Sequence, residues 1–129
     1  MKLLSVRAIR ALHERALKLG GLPGESTDRP LDAVIGRVEN AYLYGQIANE
    51  LELAAWYGFS IAVGHPFNDA NKRTAWLSLA ICLEINGIEL EPDPVVSEQW
   101  MVRLANGELD IAQLTLELRN AVQEQKPDL

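Results

Sequence analysis

Four ionisable side chains, His65, Asp69, Lys72 and Arg73, fall within nine residues of the segment Gly64-His-Pro-Phe-Asn-Asp-Ala-Asn-Lys-Arg73. An imidazole takes up a proton near neutral pH, so His65 suits a general base. Asp69 offers a hard oxygen three residues before Lys72, and magnesium is commonly held by one or two carboxylates together with substrate phosphates. Lys72 and Arg73 bring two cations to the start of an apolar run, Thr74 to Ile85. A helix N-terminus already carries unpaired N–H groups and partial positive charge, so two cations there are locally unfavourable. An anion resting on that end removes the conflict. Phe67 is expected to point into the core and pin the segment from below. Taken singly, each residue has an ordinary reading. His-Pro makes turns, Asp69 is an adequate N-cap for a helix starting near Ala70, and Lys-Arg pairs are usually solvated. Together they describe a phosphate site with a metal carboxylate and a base.

The elements that must position this segment read as helices. Ser5 can cap a first one, with Val6, Ile9, Leu12 and Ala16 at three- and four-residue steps. Gly20-Gly21-Leu22-Pro23-Gly24 ends it, since glycine tolerates a left-handed position and proline cannot continue the ladder. Asp28 is expected to cap the next helix, with Pro30 in its first turn and Leu31, Val34, Ile35 and Val38 on one face. A third spans roughly Asn49 to Val63, with Leu51, Ala54, Ala55, Phe59 and Ala62 inward. The run from Thr74 to Ile85 is apolar nearly all round, which marks a helix surrounded by others, and Gly87 stops it. Glu89 to Pro94 reads as a connection, with room for a short extended segment. Ser97 is expected to cap a helix containing Trp100, Val102 and Leu104, closed by Asn106-Gly107. Asp110 caps a last one with Ile111, Leu114, Leu118 and Val122, and the tail from Gln123 is expected to fray. The expectation is an all-α single domain, residues 1–129, of about six helices around a buried central helix.

Composition narrows the function. The 129 residues are 48% hydrophobic and 23% charged, with a mean hydropathy of −0.03, which excludes disorder and fibrous repeats. One cysteine, Cys82, excludes a disulfide framework or a cysteine zinc site within the chain, and its place among Ala80, Ile81 and Leu83 reads as an inert buried thiol. His13-Glu14 does not open an HExxH helix, because Leu17 stands where the second histidine belongs. The net charge of −6 fits a phosphate backbone poorly, so direct nucleic-acid binding, including by a helix-turn-helix, is disfavoured. That charge is uneven: residues 1–20 hold five bases and one acid, residues 84–129 three bases and ten acids. Both ends read as solvated surface. Gly20 to Gly24 lacks a following Gly-Lys-Ser/Thr and is a turn, not a phosphate loop. Trp56, Trp76 and Trp100 fall at helical core positions, and Tyr42 and Tyr44 on a half-buried face. Arg7 and Arg10 interrupt any signal-like start, and Ala54 to Gly64 is too short to span a bilayer. A soluble, cytoplasmic protein is expected.

His65-Pro-Phe-Asn-Asp-Ala-Asn-Lys-Arg73 resembles the signature loop of the Fic/Doc family, HPFx(D/E)GN(G/K)R. Lys72, where adenylylating Fic enzymes usually have glycine, and Ala70 in place of glycine match the Doc branch. Further similarity lies in GGLPG, in VIGRVENA (Val34 to Ala41), and in NKRTA and NGIEL. The resemblance implies an all-α Fic/Doc fold with His65 as the base that takes a proton from a target hydroxyl. It implies Asp69 as a magnesium ligand, and Phe67, Asn68, Ala70, Asn71, Lys72 and Arg73, with loop N–H groups, as the set that holds ATP phosphates. Doc proteins transfer the terminal phosphate of ATP to a threonine of elongation factor Tu. The alternatives implied by the same fold are an AMP transferase and a catalytically silent binding module. Many Fic-fold enzymes carry an inhibitory (S/T)xxxE(G/N) helix, and the sequence has no such pattern. Restraint is therefore expected in trans, from a Phd-type antitoxin whose C-terminal segment folds into a helix on the toxin.

Overall fold

The computed structural model describes residues 1–125. Six α-helices follow in order: α1 (Val6–Ala16), α2 (Leu31–Leu43), α3 (Glu50–Gly64), α4 (Asn71–Ile85), α5 (Pro94–Ala105) and α6 (Ile111–Glu124). A short 3-10 turn, Leu17–Leu19, extends α1. Among the described residues there is no strand, only one isolated antiparallel bridge between Glu25 and Phe67. No helix among them is long and apolar enough to cross a membrane. The all-α reading holds, and the Glu89 to Pro94 connection forms no extended element.

The bundle's centre is a pair. α3 packs against α2, α4, α5 and α6, and α4 packs against α1, α3 and α5. Leu53, Ala54, Ala55, Tyr57, Gly58, Ser60, Ile61 and Ala62 of α3 are all buried, as are Thr74, Ala75, Ser78, Leu79, Cys82 and Leu83 of α4. The two helices meet closely at Gly58. A Cβ there would sit 3.0 Å from Leu79 Cδ1 and 3.8 Å from Leu114 Cδ2, so the absent side chain sets the α3–α4 distance. Tyr57 ties the chain start to this centre: its hydroxyl donates to Leu4 O (3.1 Å) and accepts from Leu4 N–H (2.9 Å). Burial pushes that phenol up to about 12. Burial likewise pushes the Cys82 thiol up to about 12, which keeps it an inert core group.

Several local expectations need correction. α2 begins at Leu31 with Pro30 as its N-cap, so Asp28 caps nothing and Pro30 lies just outside the helix. α5 begins at Pro94, with Asp93 accepting from Val95 N–H, so Ser97 is inside the helix and not its cap. Proline at the first helical position needs no partner for a missing N–H, and that is why the helix starts earlier than Ser97. α4 starts at Asn71, in keeping with the expected start near Ala70. Leu51, Phe59, Trp56 and Trp76 are only half-buried, and Tyr44 is 80% exposed. Ser5 and Asp110 cap as expected, the latter in a reciprocal capping box with Gln113. The tail is expected to fray from Gln123, but Gln123 and Glu124 belong to α6; the rest of that expectation, residues 126–129, lies outside the described residues.

Because Gly58 sets the central contact, Gly58→Leu should overpack the α3–α4 interface and cost about 1–3 kcal/mol or more. The denaturant midpoint measures it, and a midpoint within error of wild type would refute the close-packing account.

Candidate active site

Six residues, His65 to Ala70, carry the chain from α3 to α4. The reversal uses two left-handed residues, His65 (φ 49°) and Ala70 (φ 62°), and neither is glycine. Such conformations cost on the order of 1–3 kcal/mol each and persist only where the surroundings over-determine them. Asn71 supplies part of that constraint, its side chain accepting from Phe67 N–H (3.1 Å) and donating to Phe67 O (2.9 Å). Phe67 is buried, as expected, and its ring stacks on His13 of α1 at 3.8 Å and 6°.

The rest of the constraint comes from the segment between α1 and α2. Asn68 N–H donates to Gly24 O (3.0 Å), Asn68 Nδ2 to Pro23 O (3.1 Å), and Ser26 N–H to Pro66 O (2.8 Å). Asp69 is held at three points. Its Oδ1 accepts from Ala70 N–H (2.8 Å) and its Oδ2 from Leu22 N–H (3.1 Å). Its carbonyl lies 3.0 Å from His13 Nε2, which must carry the proton because a carbonyl can only accept. Asp69 is therefore not the side-chain cap of α4: its near oxygen bonds only the adjacent N–H, and Ala70 stands at the cap position with no side-chain bond.

Downward shifts at both groups set the charges, ionising the acid and neutralising the base. The Ala70 and Leu22 N–H groups, with Arg73 and His13 nearby, hold the Asp69 carboxyl below the usual carboxylate range. Burial, then the Arg29 and Lys72 charges, hold His65 below the ordinary imidazole range. A neutral imidazole and an ionised carboxylate result, four residues apart. The His65 Nδ1 is buried and has no hydrogen-bond partner.

A cavity of about 850 Å³ opens over this loop. His65, Phe67, Asn68, Asp69, Ala70, Asn71, Lys72 and Arg73 all line it, together with Arg29. Trp76, Ser97 and Met101 form the facing wall. Its size suits a nucleotide-sized ligand. Arg73 lines it but is partly committed elsewhere: Nη1 donates to Ala16 O (2.6 Å) and Nη2 to Gly20 O (2.7 Å), clamping the end of α1. Asp69 is exposed and ionised, and no group of three or more His, Cys, Asp or Glu side chains is placed to hold a metal among the described residues. A single carboxylate beside an anion site fits magnesium, which shares its ligands with phosphates and water, and does not fit zinc.

Two residues at the site lie outside the sequence motif. His13 was legible only as a polar residue one helical turn after Ile9, on the buried face of an otherwise basic helix. Arg29, whose Nε donates to His65 O (3.0 Å), carried no local signal at all. His13→Phe keeps the stack on Phe67 but strips the donor from Asp69 O, and should cost about 1–3 kcal/mol. His13→Gln, which keeps a donor, should cost less. Equal denaturation midpoints for the Phe variant and wild type would remove the hydrogen bond from the account.

Residues 3–83 match the model of the Fic/DOC family. The chain is 37% identical over 120 residues to a protein of Escherichia phage P1 named protein kinase doc, covering 92% of this chain and 94% of that one. It is 36% identical over 92 residues to the toxin Doc of Mycolicibacterium smegmatis, covering 68% and 70%. A loop of this geometry, inside a match that spans the helices on both sides of it, places the chain in the Fic/Doc family, on its Doc branch.

Proposed function

We propose that this chain is a Doc-type toxin kinase that moves the terminal phosphate of ATP to a hydroxyl of a protein. The observation that carries the reading is His65: a neutral imidazole on the rim of a cavity that also holds Asp69, Lys72 and Arg73. In this reading His65 takes the proton of the target hydroxyl as the hydroxyl oxygen attacks the terminal phosphorus; the bond from that phosphorus to the β–γ bridging oxygen breaks and ADP leaves. Lys72, Asn68, Asn71 and Arg73, with the N–H groups at the start of α4, hold the phosphates, while Phe67 and Ala70 shape the loop beneath them. Asp69 would hold magnesium, which when bound neutralises charge on the phosphate oxygens. Placement and charge do most of the work in such transfers, since the protein supplies little covalent chemistry. The target proposed is a threonine of elongation factor Tu, the place of action the cytoplasm, and the restraint a Phd-type antitoxin helix supplied by a second chain.

Incubation with magnesium, elongation factor Tu and ATP labelled at one phosphate tests the reaction. Label should move to the protein from γ-labelled ATP and not from α-labelled ATP. The reverse pattern would replace the kinase reading with AMP transfer.

The role of His65 has its own test. A base must be unprotonated, so activity should fall as pH drops through the His65 pKa. Because that pKa lies below the ordinary 6.5, the acid limb of kcat/KM should lie below pH 6.5. His65→Ala should lose about 10²–10⁴-fold in rate and lose the limb. A limb that persists unchanged in the Ala variant would assign it to another group.

A further inference from the structure

The chain carries a net charge of −6, yet three cations line one cavity without a carboxylate partner. The ion pairs among the described residues are Arg10 with Glu25 and Asp32, and Arg103 with Glu117, so Arg29, Lys72 and Arg73 enter none. Arg73 spends a hydrogen of each terminal nitrogen on the Ala16 and Gly20 carbonyls. Lys72 is an exposed point charge in the first turn of α4. Arg29 differs from both. Its backbone N–H donates to Ser26 Oγ (3.3 Å), and Pro30 after it restricts its own backbone to extended conformations. Its Nε donates to the carbonyl of His65. With Nε fixed there, both terminal nitrogens of the guanidinium are without partners among the described residues, and the residue lines the cavity. That open edge has the planar, two-pronged donor geometry that matches two oxygens of one phosphate.

We propose that Arg29 is a phosphate-binding residue of this site, gripping the phosphate group that lies against His65. This rests on the reading of the cavity as a polyphosphate site and extends it to a residue outside the signature loop, supplied by the segment between α1 and α2. The guanidinium sits where negative charge gathers during phosphoryl transfer, next to the base. Preorganised charge there needs no rearrangement at the moment of reaction. The same charge favours the neutral form of the imidazole.

Calorimetric titration with magnesium and inorganic tripolyphosphate tests the assignment without requiring turnover. Arg29→Gln should weaken tripolyphosphate binding about ten- to hundredfold, the range of a charge-assisted hydrogen bond. Arg29→Lys, which keeps the charge, should bind at least about threefold tighter than the Gln variant. Arg29 is exposed, so both variants should melt like wild type. Wild-type affinity in Arg29→Gln would overturn the proposal. Equal losses in the Gln and Lys variants would also overturn it, assigning the effect to the lost Nε bond to His65. Absence of tripolyphosphate binding by the wild-type protein would overturn both this proposal and the phosphate site. Arg29-dependent binding in a protein that transfers no phosphate from ATP would leave Arg29 assigned and count against the kinase reading alone.

Discussion

The structure depends on one constraint: two tightly packed helices must be joined by six residues that reverse the chain. Gly58 lets α3 and α4 come close, and closeness leaves the connection little room. His65 and Ala70 take left-handed conformations that a glycine would adopt freely. The compensation is external. His13, Leu22, Pro23 and Gly24, all far upstream in sequence, hydrogen-bond to Asn68 and Asp69, and Arg73 reaches back to Ala16 and Gly20. The segment between α1 and α2 is therefore the second wall of the loop, and without it the strained turn would have no reason to persist.

The same closure sorts the charges. Backbone amides converge on the Asp69 carboxylate and keep it ionised, while burial and two cations keep His65 neutral. An acid kept ionised and a base kept neutral in this way are equipped for different chemical roles on a single short loop. The acidic surplus of the molecule lies largely in residues 84–129, of which Glu98 reaches the cavity wall.

Much of this was legible in the residues, and the failures share a cause. Helix types followed from periodicity, and the convergence of His65, Asp69, Lys72 and Arg73 on one cavity followed from their crowding within nine residues. What a short window cannot hold is a partner far along the chain. His13 meets Asp69 across 56 residues and Arg29 meets His65 across 36, so neither looked like part of a site. Nothing local reveals that Arg73, besides lining the cavity, also bonds the carbonyls of Ala16 and Gly20. The misplaced start of α5 is a different error, a local contest in which Asp93-Pro94 offered a better cap and first turn than Ser97. Proline at that position looked like a break and was a beginning.

The long reach of the contacts around Asp69 has a consequence for how the molecule is made. Arg73 bonds groups 53 and 57 residues earlier, and Leu22 meets Asp69 across 47, so the loop cannot be completed by local folding. Closing such spans costs entropy before the contacts repay it. A ribosome delivers α1 and the glycine-rich segment first, and they must wait for α4 before either wall of the cavity exists. A chain released early from synthesis, or one whose first helix is undocked, thus carries every signature residue and still lacks a formed site. Competence arrives only when these distant segments have closed on one another.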